Sequence, residues 1–146
     1  MAGTFLTFLA CIALLVISLL HLYWLTGGYW PGTDASSLMQ KVVGHTPTGR
    51  MPSPVSILGV TLVLLFGAGL LAIRLGWIPA FFPPPLIRGA TWTLAGVFLL
   101  RGLGGYLDHR LRPGIVGTPY ETLNRWVYSP LAMAIGLATL GGLLLE

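Results

Sequence analysis

The chain has 146 residues, of which 55% are hydrophobic and 8% charged, and a net charge of +4. Soluble domains carry about a quarter of their residues as Asp, Glu, Lys and Arg, so these few charges cannot coat a water-facing surface, and most of the chain must face lipid or other membrane helices. The basic balance does not point to nucleic acid as a partner, because basic side chains of a membrane protein sit in loops and meet anionic headgroups.

Four runs approach the roughly 20 apolar residues that a bilayer core requires: residues 4–26, 55–73, 86–104 and 127–145. They predict an all-α fold, a four-helix transmembrane bundle, in one integral membrane domain over residues 1–146. The first run opens "MAGTF", without Lys or Arg, and no clear A-x-A site follows, so it reads as a retained helix rather than a cleaved signal. It holds the single cysteine, Cys11, which excludes an intrachain disulfide and paired-thiol redox chemistry. "HLYWLTGG" closes the run, with Gly27-Gly28 as the stop. Tyr23 and Trp30 read as aromatic anchors at the membrane interface.

In "DASSLMQKVVG", Asp34 is placed to cap a helix and Gly44 to end it. Leu38, Met39, Val42 and Val43 share one face, which predicts a short surface helix in loop 1. In "MPSPVS", Ser53 is a cap and Pro54 the first helical residue. Gly76 and Pro79 end the second span. "FFPPPL" reads as a stiff, extended connector, with the third span starting near Leu86. "TPYE" has Thr118, Pro119 and Glu121 at the positions of a capping box. A helix from about 119 to 145 is expected, kinked at Pro130, because proline removes a backbone hydrogen bond and crowds the Trp126 carbonyl.

With four spans, both termini and loop 2 share one side. Lys41, Arg50, Arg101, Arg110, Arg112 and Arg125 lie toward the other, against Arg74 and Arg88. This six-to-two bias predicts loops 1 and 3 in the cytoplasm.

Polar residues of the spans gather toward the same end. Ser18, His21 and Trp24 share a face of the first helix. Arg101, Gly105 and Asp108 share a face of the third. An arginine at the centre of a span costs about 2.5–3.5 kcal/mol and less near its end, so Arg101 either snorkels to the interface or takes partners inside the bundle. Asp108 and Arg112, at i, i+4, read as a surface pair. The fourth helix contributes Asn124, Tyr128 and Ser129. His21 and Trp24 are expected to turn inward, because imidazole facing protein costs less than imidazole facing lipid. The candidate ligand-binding group is therefore His21, Trp24, Arg101, Gly105, Asn124, Tyr128 and Ser129, with no catalytic residue assigned.

No HExxH or comparable ligand cluster points to a metal, and His45 and His109 lie in or near loops, which disfavours haem. No cofactor is expected. No Asp or Glu lies in mid-span to drive a small transporter.

"HLYWLTGG", "MPSP", "RGLGGY" and "GTPYETLNRWVYSPLAMAIG" together resemble a family of small bacterial four-span membrane proteins defined only as a domain of unknown function. The resemblance covers nearly the whole chain and is most specific at H-x-Y-W-x-x-G-G and Y-S-P-L. Members often carry an acid and a cysteine around Y-S-P-L; here Asn124 and Ala132 stand in those places, so no acid or thiol chemistry carries over. The resemblance implies four spans and a bacterial cytoplasmic membrane, and brings no activity. Two functions follow as expectations. One is a non-enzymatic structural or partner subunit, with membrane lipids and a protein partner or second copy as its contacts. The other is a membrane enzyme or carrier that binds a lipophilic molecule with a polar head in a one-leaflet pocket between the first, third and fourth spans.

Overall fold

The computed structural model describes residues 1–46 and 48–145. Its elements are α1 (Ala2–Leu25), α2 (Ala35–Val42), α3 (Pro54–Arg74), α4 (Pro84–Gly105), α5 (Asp108–Leu111), a 3-10 turn (Pro113–Ile115), α6 (Pro119–Leu123), a π turn (Asn124–Tyr128) and α7 (Ser129–Leu144). There is no strand among the described residues. The stretches α1, α3, α4 and Pro119–Leu144 are each long and apolar enough to cross a membrane. The expected all-α architecture with four spans is therefore what the chain forms.

Local chemistry sets most boundaries. Thr26 follows α1, Gly27 adopts φ +93°, and the Gly27 and Gly28 N–H groups donate to the Trp24 and Tyr23 carbonyls. These two bonds are a Schellman closure, which glycine favours because it has no Cβ to clash. Gly76 ends α3 in the same way, at φ +74°, with Gly76 and Trp77 donating to Ile73 and Ala72. Asp34 caps α2 through Oδ1, which accepts from the Ser37 N–H at 2.8 Å, and Ser53 caps α3 by accepting from Ser56 N–H at 3.2 Å.

Two expectations need correction. The Pro-rich connector turns helical at Pro84 rather than near Leu86, since a proline φ suits the first helical turn, where no N–H is required. The "TPYE" capping box does not close. The Thr118 hydroxyl donates back to Ile115 O at 2.6 Å, and the Glu121 carboxylate accepts from Gly117 N–H at 2.8 Å. The preceding 3-10 turn brings Ile115 O within reach of that hydroxyl.

The irregularity expected at Pro130 takes the form of a π turn just before it. Ser129 N–H donates to the Asn124 carbonyl, five residues back. Widening the helix by one residue relieves the crowding between the Pro130 ring and the preceding turn.

In the bundle, α1 packs along α3 and α7, and α4 packs along α7, while α3 and α4 touch far less. The core joins Ala10, Cys11 and Leu14 of α1 to Leu64, Ala68 and Leu71 of α3 and Ile135 of α7. Four buried hydroxyls are satisfied within their own helices: Thr7, Ser18, Thr91 and Thr139 each donate to the carbonyl four residues back. Lipid offers no alternative acceptor. Glycines let α4 approach α7. A Cβ at Gly136 would lie 2.9 Å from Leu99 N, and one at Gly102 would lie 2.8 Å from Met133 N.

Candidate functional site

Asn124 opens the π turn and is buried at 2% exposure. Its Oδ1 accepts from Arg101 Nη2 at 3.1 Å and from Ser129 Oγ at 3.3 Å. Its Nδ2 donates to Gly105 O at 2.8 Å. Gly105 ends α4, so this carbonyl has no partner within the helix. One amide thus serves three groups and ties α4 to the π turn. A side chain at Gly105 would collide with Ser129 Oγ and come 2.7 Å from Arg101 Nη1, so the contact requires glycine.

A second network lies beside it. Arg112 donates through Nε and Nη2 to the two Asp108 oxygens, at 2.8 and 2.6 Å. The Tyr120 hydroxyl donates to Asp108 Oδ2 at 2.8 Å. The Arg112 guanidinium lies 5.1 Å from the Tyr120 ring centroid and its Nη1 reaches Val43 O at 3.4 Å. The hydrogen bonds from Arg112 hold the Asp108 carboxyl below its ordinary value, Tyr120 adds to this, and burial opposes it. The same pairing raises Arg112. Asp108–Arg112 is therefore more than the surface contact its spacing suggested: it joins α5, α6 and the end of α2. Tyr128, tilted against Tyr120 at 6.0 Å, donates to Lys41 O at 3.0 Å, while Lys41 Nζ donates to Pro31 O at 2.7 Å. These contacts hold α2, with Leu38 and Met39 buried, beneath the bundle.

Five of the predicted residues come together at this end. Arg101, Gly105, Asn124 and Ser129 share one network, and Tyr128 stands at its border. His21 and Trp24 do not join them. His21 Nδ1 donates to Ile17 O at 2.8 Å, and its ring lies tilted by 56° against Trp24 with centroids 4.7 Å apart; Trp24 Nε1 donates to Trp30 O at 2.6 Å. The expected inward turn of His21 and Trp24 is thus corrected: among the described residues, neither forms a hydrogen bond to α4 or to the Asn124–Ser129 region. The α1 carbonyl four residues back satisfies the imidazole locally, as it does the buried hydroxyls. A carbonyl only accepts, so Nδ1 carries the proton. Tyr120 was missed by sequence reasoning; its sole signal was an aromatic in the first turn of a helix, which ordinary packing explains as well.

Arg101 opens onto a shallow cleft of about 370 Å³, bounded by Leu100, Gly104, Asp108, Leu111, Arg112 and Tyr120. No α1 residue lines it. The cleft at the opposite end, between Met1, Phe5, Phe8, Leu75 and Trp77, has no charged side chain. Among the described residues, no group of three or more His, Cys, Asp or Glu is placed to hold a metal.

Four apolar spans with their polar networks gathered at one end define a multi-pass membrane protein. The chain belongs to the DUF3995 family of proteins of unknown function, whose model matches residues 14–139, from within α1 to within α7. The expected resemblance to an uncharacterised family is borne out at that level. No curated protein and no solved structure matches the chain.

Proposed function

We propose that the protein is a non-enzymatic structural or partner subunit of a bacterial cytoplasmic membrane, with loops 1 and 3 on the cytoplasmic side. The observation that supports this is how Asn124 and Ser129 are engaged: both are buried, Asn124 joins α4 to the π turn through Arg101 and Gly105 O, and Ser129 donates to the same Asn124 oxygen. A side chain engaged in this way holds helices and presents nothing to a substrate. The outer faces of the helices, with exposed Val63, Phe66, Leu100 and Trp126, are left for lipid and for a neighbouring polypeptide. Native mass spectrometry of protein released gently from its membrane is the test. A second polypeptide or a second copy held in fixed ratio is the expected result. A lone chain with a chemically altered small molecule would overturn it.

The second reading, a carrier or enzyme for an amphiphile, is favoured by one observation, the open cleft beside Arg101. The pocket would then lie on α4, α5 and α6 rather than between the first, third and fourth spans.

A further inference from the structure

Arg101 sits in the last turns of a membrane-spanning helix, where a cation is costly unless it reaches polar partners. Its guanidinium has five N–H donors, and its one hydrogen bond among the described residues goes to neutral Asn124. The nearby carboxylate, Asp108, is already taken by both arms of Arg112 and by Tyr120. The cleft between them therefore holds two guanidinium groups against one carboxylate. Beside these charges the cleft has an open apolar rim: Leu100 is 72% and Leu111 77% exposed. One helical turn deeper, Val97 is exposed as well. A volume of about 370 Å³ is at the low end for ligand pockets, enough for a headgroup but not for a whole lipid.

We propose that this cleft binds the phosphodiester headgroup of an anionic phospholipid from the surrounding bilayer, with the phosphate on Arg101 and Arg112 and the acyl chains along Leu100 and Val97. Guanidinium offers paired donors to phosphate oxygens. The placement of Arg101 at the border of the apolar core matches the depth at which a lipid phosphate meets its chains. The inference goes beyond the subunit reading and does not depend on it.

The test is native mass spectrometry of the full chain in neutral detergent, titrated with phosphatidylglycerol, with phosphatidylcholine and with inorganic phosphate. Phosphatidylglycerol should be retained about fivefold or more over phosphatidylcholine, the preference that one basic residue near the surface supplies, and millimolar phosphate should not displace it. Arg101→Gln should abolish the preference, and Arg101→Lys should keep part of it. Leu111→Glu, at a position 77% exposed, should weaken phosphatidylglycerol retention as strongly as Arg101→Gln and covers the case in which the arginine variant fails to fold. Arg125→Gln, which removes a cation at the same end but outside the cleft, should leave the preference intact. Equal retention of the two lipids, displacement by phosphate alone, or an unchanged preference in Leu111→Glu would overturn the proposal. Because retained lipid and retained polypeptide are separate masses, failure here is distinct from failure of the subunit reading.

Discussion

Asn124 concentrates three hydrogen bonds in one amide, and the membrane sets their worth. Interhelical hydrogen bonds between side chains in bilayers average about 0.6 kcal/mol, so Asn124→Leu should cost about 2 kcal/mol. A lowered thermal midpoint in detergent would show it. Asn124→Asp should cost less, since a carboxylate keeps the Arg101 and Ser129 bonds and loses the donation to Gly105 O. Ser129→Ala should be milder still, because Arg101 continues to serve Asn124 Oδ1. Asp108 supports a pH prediction. Its folded-state pKa is lowered, chiefly by the hydrogen bonds from Arg112. It therefore contributes stability above the ordinary carboxyl value of about 3.9, which is lost as pH falls through the lowered folded value. Thermal midpoints measured from neutral pH into this acid range should fall in the native chain. Asp108→Asn should flatten part of that fall, leaving the share that belongs to Asp34, whose carboxyl is also held low, chiefly by the Ser37 backbone N–H.

At the scale of elements, helix ends and one helix interruption set the architecture. Gly27 stands at φ +93°, where an L side chain costs about 1–2 kcal/mol. A Cβ there would meet nothing within 4 Å, so Gly27→Ala tests conformation alone. Its expected loss of about 1 kcal/mol should appear in thermal unfolding without change in helix content by circular dichroism. Pro130 shows why an element can be expected yet take another form. The missing N–H made an interruption at this point the natural forecast, and the chain meets it by widening to a π turn that places the Asn124 side chain against the end of α4.

Over the whole molecule, α7 is the shared partner of α1 and α4. Its glycines set how closely they approach: Gly136 faces Leu99 of α4, and Gly141 faces Leu6 of α1 with a would-be Cβ at 2.6 Å. Gly136→Leu should force α4 away from α7 and lower stability by several kcal/mol, since overpacking usually costs 1–3 kcal/mol and here the obstacle includes backbone. Size-exclusion profile and thermal midpoint together would check it. An unchanged midpoint would mean that the two helices are less tightly held than this contact requires. Gly104→Leu, on the same end of α4 with open space around it, is the matched control and should be tolerated.

The four spans, the caps at Asp34 and Ser53, and the glycine stops were legible in the sequence, because length, hydropathy and the stereochemistry of single residues act over a few positions of chain. The gathering of Arg101, Gly105, Asn124 and Ser129 at one end was legible too, since alternating span direction brings the exits of the first and third spans and the entry of the fourth to one side. Which of these groups meet was decided by tertiary structure. His21 had a carbonyl four residues back within its own helix, and no periodicity reveals whether a ring takes that acceptor or crosses to a neighbour. Asp108, Arg112 and Tyr120 come from two helices separated by a 3-10 turn, and their meeting depends on where that turn aims α6. Hydrophobic burial and helix ends are properties of local sequence. Partner choice among polar groups is a property of distance, and those distances are set by the packing of the helices and by the turns that aim them.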